Sequence, residues 1–426
     1  MKAKTVLICL TLATILITAV PALDWGGTID NATSNTYAGS GQWLQEDKLS
    51  LWFASPLGSS LQFTAQASYT FSYTEAALIE HILDIDRFDL SGAFLLGQHK
   101  SSQLRFLVGR FPLFDMTRLI LDDRVDGFTV EWITAAANTT VSLGYTGLQW
   151  ERVSTIAISS ADNTDSDDLA PPRLVGSLQA QFPQLFLRQD LYASILFQQD
   201  LRSEGATFAI DGVGGRLSSQ YFGLAVDGAI IPSLYHNTFA YLGTGSAPSE
   251  LTGSWEYASI LSFSAGLTLR YFAEQFLASR AELGLLFTSG DGDFNALPNA
   301  YYEGNTAERA GVFMPISRQQ LAVVFSPRLG NLIVLDAGYS IKPRKDLQAA
   351  IKALLYFRPT TGPIMDARAT DFDSKYLGAE VDGLVNFRPF SDLGASLSMG
   401  VFLPMGGAFT DQEAVLKGQL EISFSF

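Results

Sequence analysis

Cysteine is almost missing from this chain of 426 residues, and its one occurrence, Cys9, lies inside an apolar run at the N-terminus. No disulfide framework can therefore brace the rest, which leaves a hydrogen-bonded sheet and packing to do so. Histidine is nearly as scarce, with His81, His99 and His236 far apart in sequence. There is no Gly-x-Ser-x-Gly, no His-Glu-x-x-His and no paired Cys/His spacing, so serine and zinc chemistry have no foothold. Gly212-Val213-Gly214-Gly215 precedes no helical pattern and marks strand curvature, not a nucleotide loop. Positive charge is in deficit, and nucleic acid is excluded as a partner.

Long apolar runs are also lacking beyond the N-terminus. Lys2 and Lys4 precede apolar residues from Val6 to Val20, followed by Pro21 and Ala22. This is the layout of a signal peptide, 1–22, cut after Ala22, with 23–426 as one domain. Removing Lys2 and Lys4 leaves 26 basic against 43 acidic residues, a net charge of −17. Hydrophobic residues make up 47% of the chain and charged residues 17%, yet no run of eighteen apolar residues follows the signal. Membrane helices are thereby excluded, and the apolar residues must be spread in another pattern.

That pattern is alternation. Leu416, Gly418, Leu420, Ile422, Phe424 and Phe426 interleave with Val415, Lys417, Gln419, Glu421, Ser423 and Ser425. A period of two means a strand with one greasy face and one wet face. The same holds over 347–358 and 376–388. Stretches of ten to fifteen residues exceed the usual soluble strand and suit a tilted bilayer crossing. Aromatics near their ends, such as Phe71, Trp132 and Tyr271, fit interfacial girdles.

The fold class expected is therefore all-β, a transmembrane antiparallel β-barrel of about eighteen strands, with sixteen and twenty as neighbouring counts. Short turns should alternate with long outer loops. Short turns fall at 56–59, 98–101, 135–138, 183–187, 343–345 and 389–392, and long connections at 31–46, 74–84, 112–123, 150–171, 232–251, 290–330, 359–373 and 404–412. Strands are expected over 206–217 and 220–231, while Leu234–Leu242 and Ile316–Phe325 are assigned to outer loops, the latter folded into the mouth.

Three segments resemble the alginate-export family of outer-membrane barrels: Tyr376-Leu-Gly-Ala-Glu380-Val-Asp382-Gly-Leu384 with Phe402-Leu-Pro404, Val108-Gly-Arg110-Phe-Pro112-Leu-Phe-Asp115 with Asp126-Gly127-Phe128, and Asn331-Leu332. The resemblance implies an eighteen-stranded barrel with an arginine-lined conduit for a polyanion. This chain departs from it at Phe111 and at Met405, and its wet faces carry both signs of charge.

The expected pore-lining cations are Arg188, Arg270, Arg280, Lys352, Arg358, Arg388 and Lys417, and the anions Asp190, Glu282, Glu380, Asp382 and Glu421. Mixed signs across a lumen suit small polar or anionic solutes. Such a chain would be a porin-like channel in the bacterial outer membrane, a monomer in contact with lipid. Its last strand, ending in Phe424 and Phe426, would be the signal read by the outer-membrane assembly machinery. The alternative is a closed barrel with a structural or adhesive role. No catalytic residue, cofactor or metal is called for. His81 beside Glu80, Asp84 and Asp86 could make an Asp/His pair only if the geometry allowed it. The acidic loops at Asp162, Asp165, Asp167 and Asp168 and at Asp291, Asp293 and Asn295 read as solvated charge.

Overall fold

A computed structural model describes residues 23–75, 79–97, 101–156, 169–186, 188–205, 214–251, 254–292, 309–366, 368–405 and 407–426. Nineteen strands are present among them: β1 (Asp24–Ala38), β2 (Ser40–Leu57), β3 (Leu61–Thr74), β4 (Ile79–Leu96), β5 (Ser102–Phe114), β6 (Asp122–Ile133), β7 (Asn138–Tyr145), β8 (Arg173–Phe186), β9 (Gln189–Asp200), β10 (Ser218–Ile231), β11 (Leu234–Leu251), β12 (Ser254–Ala273), β13 (Ser279–Thr288), β14 (Arg309–Ala310), β15 (Leu332–Arg344), β16 (Leu347–Phe357), β17 (Tyr376–Phe387), β18 (Leu393–Pro404) and β19 (Val415–Ser425). Each wall strand pairs antiparallel with the next, and β1 pairs with β19 from Thr28↔Ser425 to Tyr37↔Leu416. The sheet is thus a closed barrel without a free edge. Only β14 stands outside the wall, pairing in parallel with β12, so the wall has eighteen strands.

Alternation decides which face each residue takes. On β19 the exposed Leu416, Leu420, Ile422 and Phe424 form the outer row, while Lys417 and Glu421 belong to the inner one. Leu283 and Leu285 on β13, Ile351 and Leu355 on β16 and Leu397 and Met399 on β18 continue this outer belt. A belt of that composition is the surface of a barrel immersed in hydrocarbon. No helix among the described residues is long and apolar enough to cross a membrane; the crossing elements are strands.

Two features of the strand list differ from expectation. Leu234–Leu251 is a wall strand, β11, paired with β10 and β12, and not part of an outer loop. Of the strand expected over 206–217, residues 206–213 lie outside the described ones and 214–217 lead into β10. The wall has eighteen strands, with β9 pairing directly to β10. The connection expected over 31–46 is the upper part of a long β1–β2 hairpin that turns at Gly39, whose φ of 75° favours glycine. The signal segment 1–22 and His99 lie outside the described residues.

Candidate functional site

The interior is the candidate site, and two of the segments that leave the wall do most to shape it, with Ile156, Ile364, Ala369 and Phe409 from other connections joining the same buried cluster. The first is the upper part of the β5–β6 hairpin. Gly109, Gly127 and Gly144 sit side by side on β5, β6 and β7. A Cβ on Gly109 would come within 2.1 Å of the Phe88 carbonyl oxygen, and one on Gly127 within 2.0 Å of that of Leu143. Glycine alone permits this approach, and the row acts as a crease. Pairing of β4 with β5 stops at Phe88↔Arg110, immediately above it.

Beyond the crease the hairpin turns inward, and Phe111, Leu113, Ile120, Leu121 and Val125 are buried within the barrel. The face turned toward the wall carries Arg110 and Arg124, opposite the part of β4 left without a β5 partner. Arg124 reaches Asp84 at 2.7 Å and Asp86 at 2.8 Å, and Arg110 grips Asp126 at 2.9 and 2.8 Å. Arg110 also donates to the Ile85 carbonyl at 3.0 Å. Paired, fork-shaped contacts of this kind are the stronger class of hydrogen bond.

The tip is held by Asp115, which is 1% exposed. Its carboxylate accepts the backbone N–H groups of Thr117, Ile120 and Leu121 at 2.8–2.9 Å. From across the barrel the Tyr241 hydroxyl, on β11, donates to it at 2.8 Å. One side chain therefore shapes the tip and ties it to a distant strand.

The second segment is 309–331, in the connection between β13 and β15. Phe313, Ile316 and Phe325 are buried in the same interior cluster as Phe111 and Val125. The infolding expected for Ile316–Phe325 is what the structure has. Two inward carboxylates of β17 seat this segment: Glu380 accepts from Val324 and Phe325 N–H at 2.6 and 2.8 Å, and Asp382 from Val323 N–H at 3.2 Å. Phe325 stacks on Phe402 at 4.2 Å and meets Tyr356 edge-on at 4.8 Å. Arg368 lies about 6 Å from the Phe325, Phe402 and Phe409 rings, in cation–π range. Its hydrogen bond to Asp366 raises its pKa from the usual arginine value.

The two segments meet near the middle. Ser317 N–H donates to the Ile120 carbonyl at 2.9 Å, and Asp122 N–H donates to the Ser317 hydroxyl at 3.0 Å. Two cavities lie on the turn side of this junction. The larger, about 1330 Å³, has Phe111, Leu113, Phe114 and Met116 above it and Arg87, Arg105, Glu131, Gln181 and Tyr192 on its walls. Arg118 covers the Phe114 ring at 3.9 Å. The smaller, about 310 Å³, is bounded by Arg280, Glu282, Lys352 and Asp382 beneath Gln320–Val323. An apolar ceiling over polar walls of mixed charge, where Arg87 meets Asp89 and Arg105 meets Glu131, can hold an amphipathic solute by both ends.

The residues singled out from sequence fall into three groups. Asp190, Arg270, Arg280, Glu282, Lys352, Glu380, Asp382, Lys417 and Glu421 sit in the inner rows. Several are paired there, with Arg270–Glu282 at 3.1 Å and Lys352–Asp336 at 3.2 Å. Arg188 and Arg388 are instead exposed in turns, Arg188 with φ 65° before β9 and Arg388 donating to the Ser391 carbonyl, because both strands end one residue short of them. Arg358 stands just past β16, 2% exposed, and its three side-chain nitrogens have no hydrogen-bond partner among the described residues. Burial lowers its pKa, with Asp371 and Asp373 opposing that shift.

The possible Asp/His pair does not form. His81 is on the outer face, bonded to the Tyr69 hydroxyl at 2.6 Å, while Asp84 is on the inner face with Arg124. Glu80 meets Arg152 at 2.5 Å. Asp291 accepts from Gly311 N–H at 2.7 Å; Asp162, Asp165, Asp167, Asp168, Asp293 and Asn295 lie outside the described residues. Among the described residues no cluster of three metal-binding side chains occurs. What sequence reasoning missed is the β5–β6 hairpin, although the glycines of its crease were visible in Gly109 and in Gly127.

No family model and no curated protein matches the chain, so the likeness to alginate-export barrels has no support there. Solved structures do match. Pseudomonas aeruginosa OpdK, solved with vanillate, aligns at TM-score 0.58 and 11% identity, covering 96% of this chain and 99% of that one. Pseudomonas aeruginosa OccK8 (OprE) aligns at 0.57 and 11%, covering 96% and 98%. Acinetobacter baumannii OccAB4 aligns at 0.57 and 10%, covering 96% and 99%. At these identities the common property is the fold, an all-β closed barrel of eighteen antiparallel strands.

Proposed function

We propose that the protein is a porin-like channel of the bacterial outer membrane that passes small hydrophilic and anionic solutes. The observation that carries this is the interior: a closed barrel whose lumen is narrowed by two anchored segments, with a vestibule of about 1330 Å³ on the turn side. An outward apolar belt and a polar inner row are the requirements of such a channel. The likeness in fold to OpdK, OccK8 and OccAB4 supports the same reading. Because OpdK was solved with vanillate, a small aromatic carboxylate is the first solute class to try, with Arg87 and Arg105 toward its acid and Phe111 and Phe114 toward its ring.

In this reading Arg270, Arg280, Glu282, Lys352, Asp382, Lys417 and Glu421 set the field of the inner wall, and transport replaces catalysis. The conducting unit is one barrel, whose lumen is complete within a single chain. Residues 1–22 direct export and are removed, and Phe424 and Phe426 present the C-terminal strand to the assembly machinery. The rival is a barrel closed to flow, and one observation favours it: the two segments meet through a shared apolar core that includes Phe313 and Phe325. Single-channel recording of the folded protein in a planar bilayer separates the two. Discrete steps with a defined reversal potential support the channel, and a folded barrel without steps supports the rival.

A further inference from the structure

The outer belt carries a linked polar patch on β1 and β2. Ile29 pairs with Leu49, and both are exposed on the outer face. Two residues along, on the same face, the pair is Asn31↔Asp47, followed by Thr33↔Gln45. Asn31 lies six residues from Trp25 and six from Tyr37, both exposed outer-row aromatics of β1. At a rise of about 3.3 Å and a tilt of about 45°, that is roughly 14 Å from either end of the belt. The registered partners on the flanking strands are apolar, Ile422 and Leu420 on β19 opposite Asn31 and Thr33 and Phe71 on β3 opposite Asp47.

The polar groups are linked to one another. Asn31 Nδ2 donates to one Asp47 oxygen at 2.6 Å, and Gln45 Nε2 donates to the other at 3.1 Å. No cation pairs with Asp47 among the described residues, since Lys48 faces inward and meets Asp86. The network also leaves chemistry over: each amide has a second N–H, Gln45 has its carbonyl, and the carboxylate has further lone pairs. Against hydrocarbon these groups would go unmatched, which is why polar side chains at this depth normally face protein.

We infer that this face of β1 and β2 is an interface with a second copy of the same chain. A partner for the network must present donors and acceptors at the same depth in the bilayer. A second barrel, inserted in the same sense, carries the same residues at that depth, so the Asn31 and Gln45 amides of each copy meet the Asp47 carboxylate of the other. Such self-complementarity is the property of a two-fold contact. Gly418, outward on β19 opposite Asn35, has nothing within 4 Å of its Cβ direction and leaves a notch beside the patch. The inference rests on the barrel being in a membrane, and not on what it conducts. It departs from the sequence expectation of a monomer.

The test uses the full chain in membranes, with Cys9→Ser and a single cysteine on the outer face, either Leu49→Cys beside the patch or Leu224→Cys on β10 as a control. Oxidation is expected to give a cross-linked product of twice the chain mass, several-fold more abundant for Leu49→Cys. Adding Asn31→Leu and Asp47→Leu to Leu49→Cys is expected to bring that yield down to the control. Equal yields at the two positions would overturn the inference, as would a product whose mass reveals a different protein. If the double leucine variant fails to fold, the comparison of the two single cysteines decides, because it leaves the patch intact.

Discussion

At the scale of the residue, Asp115 does the most with the fewest atoms. Three backbone N–H groups and the Tyr241 hydroxyl converge on one buried carboxylate. Asp115→Ala leaves these donors unmatched, at about 1–3 kcal/mol for each buried group. The variant should fold with a lower unfolding temperature, and its channel should be wider and noisier in bilayer recordings than that of the parent. Unchanged current noise would show that the tip is held in another way. Arg358 makes the opposite case, since its buried guanidinium lacks hydrogen-bond partners among the described residues. A charge held out of water without hydrogen bonds to replace its hydration costs folding free energy, and an apolar side chain of similar volume avoids that cost. Arg358→Met is therefore expected to match or exceed the parent in thermal unfolding, and a clear loss would reveal a partner for the charge. Neither role was visible in the sequence. Arg358 reads there as one more inward cation, and Asp115 as part of a long outer connection, because a carboxylate's donors are known only once the chain has closed around it.

At the scale of the element, the crease and the seat govern the interior. Gly109→Val puts a branched side chain where even a Cβ would come 2.1 Å from a carbonyl oxygen. The hairpin then cannot keep its inward bend, and the Arg124 contacts to Asp84 and Asp86 are lost with it. The expected result is a folded barrel with larger conductance, or failure to assemble; a variant indistinguishable from the parent would refute the crease. Glu380→Gln exchanges one acceptor oxygen for a donor that faces the Val324 and Phe325 N–H groups. Freed from its seat, segment 316–326 should move, which would appear as added open-state fluctuation with little change in unfolding temperature. Strands such as β19 and β16 were legible because one face meets lipid and the other water. The failure at β11 has a physical cause. Its inner row holds Tyr235, Phe239 and Tyr241, the last two packed against the infolded segments, while its outer row holds His236, Thr238 and Ala240. A lumen with an apolar core blurs the contrast on which alternation depends, so a wall strand read as a loop.

At the scale of the whole molecule, the infolded 316–325 segment and the apolar belt followed from spacing and alternation, whereas the count of eighteen matched although β11 read as a loop. Closure of β1 on β19 completes them. Gly27 and Phe426 exchange both backbone hydrogen bonds at 3.0 Å, joining the chain's last residue to its first wall strand. What the sequence could not supply was the way remote charges meet. Arg110 and Arg124 stand opposite Asp84 and Asp86 only because a hairpin leaves the wall, and no local pattern announces that. The central claim is that this interior conducts, and single-channel recording in a planar bilayer tests it most directly. Refolded protein with the heat-modifiable mobility of a closed barrel should give discrete, long-lived steps, and Glu380→Gln should alter their fluctuation. A fully folded barrel that gives no steps in either form would contradict the account.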